Sequence, residues 1–205
     1  MDKFLSDLEN QLQKDLPGKK AHDLMASTAR KSFNIKPPEN PRLSAVLIVF
    51  YPHQNDIYFP LILRPTYDGV HSGQMGLPGG KKEDHDKSLI HTAIRETHEE
   101  IGVFVPETEI LGSLTDLYIP PSNMLVTPVS GFSTEHPTFQ IDPNEVAELV
   151  PVTLQDFQNE SNKAVTQIKV QNFTFDAPTY QVSGKTIWGA TAMIISELLT
   201  IIQEI

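Results

Sequence analysis

LPGGKKEDHDKSLIHTAIRETHEEIGV, residues 77–103, decides how this chain is read. Its second half predicts a helix over residues 88–101. Ile90, Ile94, Thr97 and Ile101 recur on one face, and Gly102 stands where such a helix stops. At ~100° per residue, Glu96 and Glu100 lie ~40° apart and Glu99 lies ~60° to the other side of Glu96. Three carboxylates therefore share an arc of roughly 100°, pointing away from the apolar stripe. Two such charges 6 Å apart repel by roughly 3 kcal/mol at an effective dielectric of about 20. One divalent cation among the three turns that repulsion into attraction. Hard oxygen ligands in a chain without cysteine favour Mg²⁺, with Mn²⁺ as substitute. Arg95, one turn before Glu99, is placed to pair with it and orient it. Gly79 and Gly80 admit backbone conformations closed to other residues and let a ligand approach closely, so a carbonyl there, that of Gly80, can complete a metal shell. Alone, RETHEE also reads as an ordinary solvated helix face; the glycine turn at fixed spacing separates the two readings.

Working outward, SAVLIVFY (44–51) predicts a buried strand and IYFPLILR (57–64) a second, with Pro60 marking an edge or a bulge. Downstream, EILGSLTDLYI (109–119), LVTPVSGFS (125–133) and AELVPVTL (147–154) predict strands, the last leading into a short helix near 154–157. KAVTQIKV (163–170), NFTFDA (172–177) and TYQVSG (179–184) predict antiparallel strands. A last helix covers about 189–203, with Trp188 anchoring it in the core. Upstream, Phe4, Leu5, Leu8 and Leu12 predict a helix that Pro17–Gly18 ends, and a second short helix covers 21–30. Pro37, Pro38 and Pro41 then form a stiff linker. The expected class is α+β, a mixed β-sheet sandwiched between helices. Residues 1–41 form an N-terminal helical extension and linker, and residues 42–205 form the main domain.

The formal net charge of −10 argues against nucleic acid as a partner, because such a surface repels phosphate backbones. Without cysteine there are neither disulfides nor thiolate metal sites, which fits a reducing, cytoplasmic setting. No signal-peptide core is visible, and no run approaches the ~18 apolar residues of a spanning helix, so no membrane is expected. Ser196, Glu197 and Thr200 interrupt the apolar C-terminal stretch.

The stretch resembles the Nudix box, G-x5-E-x7-R-E-U-x-E-E-x-G-U with U aliphatic. Gly80 matches the first glycine, and Arg95, Glu96, Glu99, Glu100, Gly102 and Val103 fill the second half in register. Asp86 stands at the first acidic position, with eight residues rather than seven between it and Arg95, and Thr97 replaces an aliphatic residue. These departures resemble the coenzyme A pyrophosphatase branch, whose upstream signature is L-L-T-x-R-S-x3-R-x3-G-x3-F-P-G-G. Leu61, Ile62, Leu63 and Arg64, then Gly73, Leu77, Pro78, Gly79 and Gly80, stand at that spacing, while the signature's second arginine falls on Gly69. NEVAELVPVTL (144–154) and IWGATA (187–192) also resemble that branch, and the likeness spans residues 43–199.

The resemblance implies a Nudix fold and Mg²⁺-dependent hydrolysis of a nucleoside diphosphate linked to another group. Coenzyme A or a derivative is the first substrate reading, giving 3′,5′-ADP and 4′-phosphopantetheine. ADP-ribose, dinucleoside polyphosphates or modified nucleotides remain alternatives, as does a non-catalytic ligand-binding module. Isopentenyl diphosphate isomerase shares the fold but needs a cysteine. The implied metal ligands are Glu96, Glu99, Glu100 and Gly80, with Glu99, Glu100 and Arg95 in the catalytic machinery. Glu145 reads as a base or further ligand, or as an ordinary loop acid. Arg64 reads as a phosphate contact, or as a strand-end surface charge. Gly79, Gly80 and Lys81 form the turn facing substrate. His71 and His98 read as structural or solvated. A homodimer is compatible with the family, and the amphipathic N-terminal helix is the one hint of it.

Overall fold

The computed structural model describes residues 1–32, 36–69, 71–170 and 173–205. Its centre is the strand read from SAVLIVFY, β1 (Arg42–His53). Every second residue faces one layer. Ala45, Leu47 and Val49 pack with Ala93 and Ile101 of the helix carrying the carboxylates. Ile48 and Phe50 pack with Leu5, Leu8, Ile194 and Leu198 on the opposite face. Burial on both faces is why the strand reads as an unbroken apolar run rather than an alternating one.

The strands β2 (Asp56–Leu63), β3 (Met75–Gly76), β4 (Gly79–Lys81), β5 (Ile110–Ser113), β6 (Leu117–Ile119), β7 (Met124–Phe132) and β8 (Glu148–Thr153) complete an eight-stranded sheet. It is mixed: β1 runs parallel to β7, and the other pairings are antiparallel. One edge of β1 is divided. Residues 44–46 pair with β4 and residues 51–53 pair with β2, which seats the diglycine turn against Ala45 and Val46. Strands β9 (Lys163–Val170), β10 (Phe173–Val182) and β11 (Lys185–Ile187) form a separate antiparallel sheet.

Helix α4 (Leu89–Ile101) covers one face of the main sheet, and α1 (Asp2–Leu12), α2 (Lys19–Met25) and α6 (Gly189–Ile202) lie on the other side with the N-terminal segment. Short helices α3 (Thr28–Ser32) and α5 (Leu154–Gln158) complete the chain. The α+β reading holds.

Several local expectations are corrected. Pro60 lies at a local edge inside an otherwise internal strand rather than at a bulge. It faces Pro151 of β8, and on its other side pairing to β1 ends at Tyr58 and pairing to β3 begins at Ile62. Its missing N–H falls in that gap. The helix expected over 21–30 is two helices, because Ala26 is extended. The two strands expected over 172–177 and 179–184 are one, β10, and the expected start at Asn172 lies outside the described residues. Trp188 does not sit in the core: it is half-buried, edge-on to Phe175.

The polar residues of α6 do not break it. Ser196 is buried and donates to the Ala21 carbonyl. Glu197, fully buried, accepts from Gly18 N–H and from the N–H and hydroxyl of Thr115, and bonds His22. They tie the N-terminal segment to the last helix. The apolar face of α1, the sequence hint of self-association, is buried within the chain through Leu5, Leu8 and Leu12.

Candidate active site

Helix α4 begins at Ser88, whose hydroxyl accepts from His91 N–H, and ends at Gly102 in the left-handed region at φ 74°. Its buried face is wider than the stripe read from the sequence. Thr92, Ala93, Ile94, Thr97, Glu100 and Ile101 are buried, while Ile90 is only half-buried. Glu100 lies about 20° from Ala93 around the helix, so it enters the core with it. The signal was present in Ala93, a small residue one helical face from the carboxylate.

Arg95 is the hub. Its Nε and Nη2 donate to Asp86 Oδ1 and Oδ2 at 3.0 and 2.9 Å. Its Nη1 donates to Glu96 Oε1 at 3.0 Å and Glu99 Oε2 at 2.8 Å, and its Nη2 also reaches the Lys81 carbonyl at 3.1 Å. Asp86 accepts further from Thr92 hydroxyl and Glu83 N–H. The Arg95 bonds hold its carboxyl well below the usual carboxylate range. The sequence left the role of Asp86 open. The structure makes it the partner that fixes Arg95, and the one-residue-longer gap brings its shorter side chain within reach of the guanidinium fork. Arg95 thus orients Glu96 as well as Glu99.

Glu100 faces the other way. Its Oε2 accepts from Gly79 N–H at 2.7 Å, and its Oε1 lies 3.6 Å from Arg64 Nη1. Burial pushes its carboxyl up to about 7, opposed by Arg64 and the Gly79 bond and reinforced by repulsion from Glu96 and Glu145. Burial also raises Glu96, against Arg95 and with repulsion from Glu99 and Glu145. Glu145 itself is exposed, yet its charge acts on both carboxylates. Arg64 also donates to the Gly79 carbonyl at 3.2 Å, so its guanidinium is tied to the diglycine turn.

Gly79 is sterically required, whereas at Gly80 the nearest neighbour is the end of a side chain. Gly79 has φ 146°, and a Cβ there would lie 2.3 Å from the Ala45 carbonyl oxygen. A Cβ at Gly80 would lie 2.3 Å from Glu96 Oε2. The Glu96 carboxylate therefore rests directly on the Gly80 backbone. Lys81 is exposed, and its contribution here is its carbonyl. His98 is exposed, edge-on to Phe104, and His71 is half-buried beside Gln74.

Among the described residues, no three His, Asp or Glu side chains converge as a ready-made metal site. The sequence expectation of three carboxylates around one point is altered in this respect. Arg95 gathers Glu96 and Glu99, and Gly79 with Arg64 draws Glu100 inward. The donor set still fits a hard divalent cation. All its groups are carboxylate or carbonyl oxygens, and burial raises both Glu96 and Glu100 against the opposing charges of Arg95 and Arg64.

A NUDIX domain profile matches residues 41–170. The mitochondrial coenzyme A diphosphatase NUDT8 of Homo sapiens is 33% identical over 129 residues, 62% of this chain and 54% of that protein. The matched part thus spans about half the length of that relative. An uncharacterized Nudix hydrolase, NudL, of Pectobacterium atrosepticum is 31% identical over 174 residues, covering 83% of this chain and 88% of its own. Among solved structures, a MutT/nudix family protein from Enterococcus faecalis superposes with a TM-score of 0.57 at 15% identity, over 91% of this chain and 73% of that one. The diglycine turn, the arginine hub and the glutamate helix occur here on the fold that this profile describes, and the chain belongs to the Nudix family.

Proposed function

We propose that this protein hydrolyses the pyrophosphate bond of a nucleoside diphosphate linked to another group, in a Mg²⁺-dependent reaction. We further propose that the substrate is coenzyme A or a derivative, giving 3′,5′-ADP and 4′-phosphopantetheine. The observation that carries the reading is the buried Glu100 carboxylate, bonded to Gly79 and lying among Glu96, Glu145 and Arg64. Such a charge cluster at a turn open to close approach is costly unless it serves a ligand.

Glu96, Glu99 and Glu100, with the Gly80 carbonyl, would hold Mg²⁺ or Mn²⁺. When bound, the cation offsets phosphate charge and lowers the pKa of a water. Water adds to one phosphorus as the bridging P–O bond breaks and the other phosphate leaves. Arg64 binds a phosphate oxygen through its fork. Arg95 holds Glu96 and Glu99 in place, with Asp86 fixing Arg95. Glu145 accepts the proton of the attacking water. Gly79, Gly80 and Lys81 present backbone to the substrate.

The name of the human relative and the match at Arg64 support coenzyme A. One observation favours a different nucleotide substrate such as ADP-ribose: the position of the signature's second arginine is Gly69, with the Tyr67 ring over it. A screen of coenzyme A, ADP-ribose, NADH and dinucleoside polyphosphates with Mg²⁺ tests the substrate. Release of 4′-phosphopantetheine at the highest kcat/KM is the expected result, and preference for another compound rejects the coenzyme A assignment. The described residues contain no helix long and apolar enough to cross a membrane. A cytoplasmic location is part of the proposal, and fractionation separates it from the mitochondrial location of the human relative.

A further inference from the structure

A groove of about 640 Å³ opens between the segment after β2 and the small sheet β9–β11, lined among others by Tyr67, Met75, Ile168, Lys169 and Trp188. Three features make it more than a surface crease. Trp188 is half-buried there, and Phe175 meets its ring edge-on at 5.9 Å, which fixes the indole in place. Gly69 also lines the groove, and a Cβ there would lie 2.4 Å from Tyr67 Cε2, so the bare backbone at 69 lets the tyrosine ring lie across it. Lys169 lines it as well, and has no ion-pair partner among the described residues. Leu63 borders the groove, and the next residue, Arg64, reaches Gly79 and Glu100. The border of the groove is thus one residue along the chain from Arg64.

We propose that the groove seats the nucleoside half of the substrate, its purine base stacked on Trp188, with Tyr67 as a second aromatic wall and Lys169 pairing with a phosphate on the ribose. The assignment of that half rests on the pyrophosphatase reading above. Fixed aromatic rings suit the flat face of a base, and an unpaired ammonium suits a phosphate.

Trp188 is the sole tryptophan, so its fluorescence reports the site directly. The full chain, in excess chelator so that nothing turns over, is titrated with adenosine 3′,5′-bisphosphate and separately with 4′-phosphopantetheine. Saturable quenching by the bisphosphate is expected, weakened about tenfold in Lys169→Ala and in Tyr67→Ala. In turnover with Mg²⁺, Trp188→Ala should raise KM for coenzyme A about tenfold with kcat within about twofold, and Trp188→Phe should restore most of the loss. Quenching by 4′-phosphopantetheine alone would overturn the proposal. So would no quenching by either compound in a protein that hydrolyses coenzyme A. Quenching by the bisphosphate in a protein that hydrolyses nothing would uphold the groove and reject the pyrophosphatase reading instead.

Discussion

Replacing Glu100 by Gln separates the electrostatic cost of this site from its use. Glu100 is 1% exposed, and its carboxyl is pushed from an ordinary 4.5 up to about 7. That difference corresponds to about 3 kcal/mol at ~1.4 kcal/mol per unit, taken as a ceiling because the side chain can relax toward water. The folded pKa lies above the unfolded one. The contribution is therefore fully present below about pH 4.5, falls as pH rises, and is gone above about 7. Gln keeps an acceptor for the Gly79 N–H and does not titrate. In chelator at pH 8, Glu100→Gln should be more stable than the parent by up to about 3 kcal/mol. For a chain of this length that is roughly 2–4 °C in Tm per kcal/mol. The advantage should vanish near pH 4.5. Added Mg²⁺ should raise the Tm of the parent and not of the variant, and the variant should lose turnover. Differential scanning calorimetry from pH 4.5 to 8.5, with and without Mg²⁺, measures all of this. A variant less stable than the parent at pH 8 in chelator would refute the reasoning, because the carboxylate would then be well compensated without a cation.

The two glycines should part company. At Gly80 an added methyl meets only the movable end of Glu96, so Gly80→Ala should fold normally by circular dichroism while kcat falls at least about 100-fold. Gly79→Ala meets the Ala45 backbone and should lower the Tm or abolish soluble expression. Arg95→Lys cannot reproduce the fork to Asp86, so it should cost roughly 3 kcal/mol in urea unfolding and strongly reduce kcat. Because Asp86 is held low by Arg95, its stabilisation is present above an ordinary carboxyl pKa and is lost as pH falls, so the penalty of Arg95→Lys should shrink in acid. Glu197→Ala leaves Gly18 N–H and Thr115 without their buried acceptor and should destabilise the chain by roughly 2–4 kcal/mol, with kcat little changed in the folded fraction.

Much of this was legible in the sequence, and the misses have physical causes. Most of the longer strands and the limits of α4 followed from apolar runs and caps, because burial and capping are local demands, whereas the short β3 and β4 lie in the glycine-rich stretch that shows no such run. Pro60 was read as an edge or a bulge, and its edge is only a local gap, because a proline signals a lost donor but not where the neighbouring strands begin and end. Glu197 was read only as an interruption of an apolar run, since no pattern shows a buried carboxylate satisfied by Gly18, His22 and Thr115, residues far off in sequence. Trp188 was placed in the core on residue type, whereas its surroundings depend on how β10 and β11 fold back. Arg95 was paired with Glu99 by helical spacing alone; its stronger partner, Asp86, comes from the preceding loop.

The most direct test is steady-state hydrolysis of coenzyme A followed by ³¹P NMR, with Mg²⁺ titrated into chelated protein. The pyrophosphate resonances should convert to two phosphomonoester resonances only once Mg²⁺ is present, with Mn²⁺ able to replace it. Conversion at an unchanged rate in excess chelator would contradict the account.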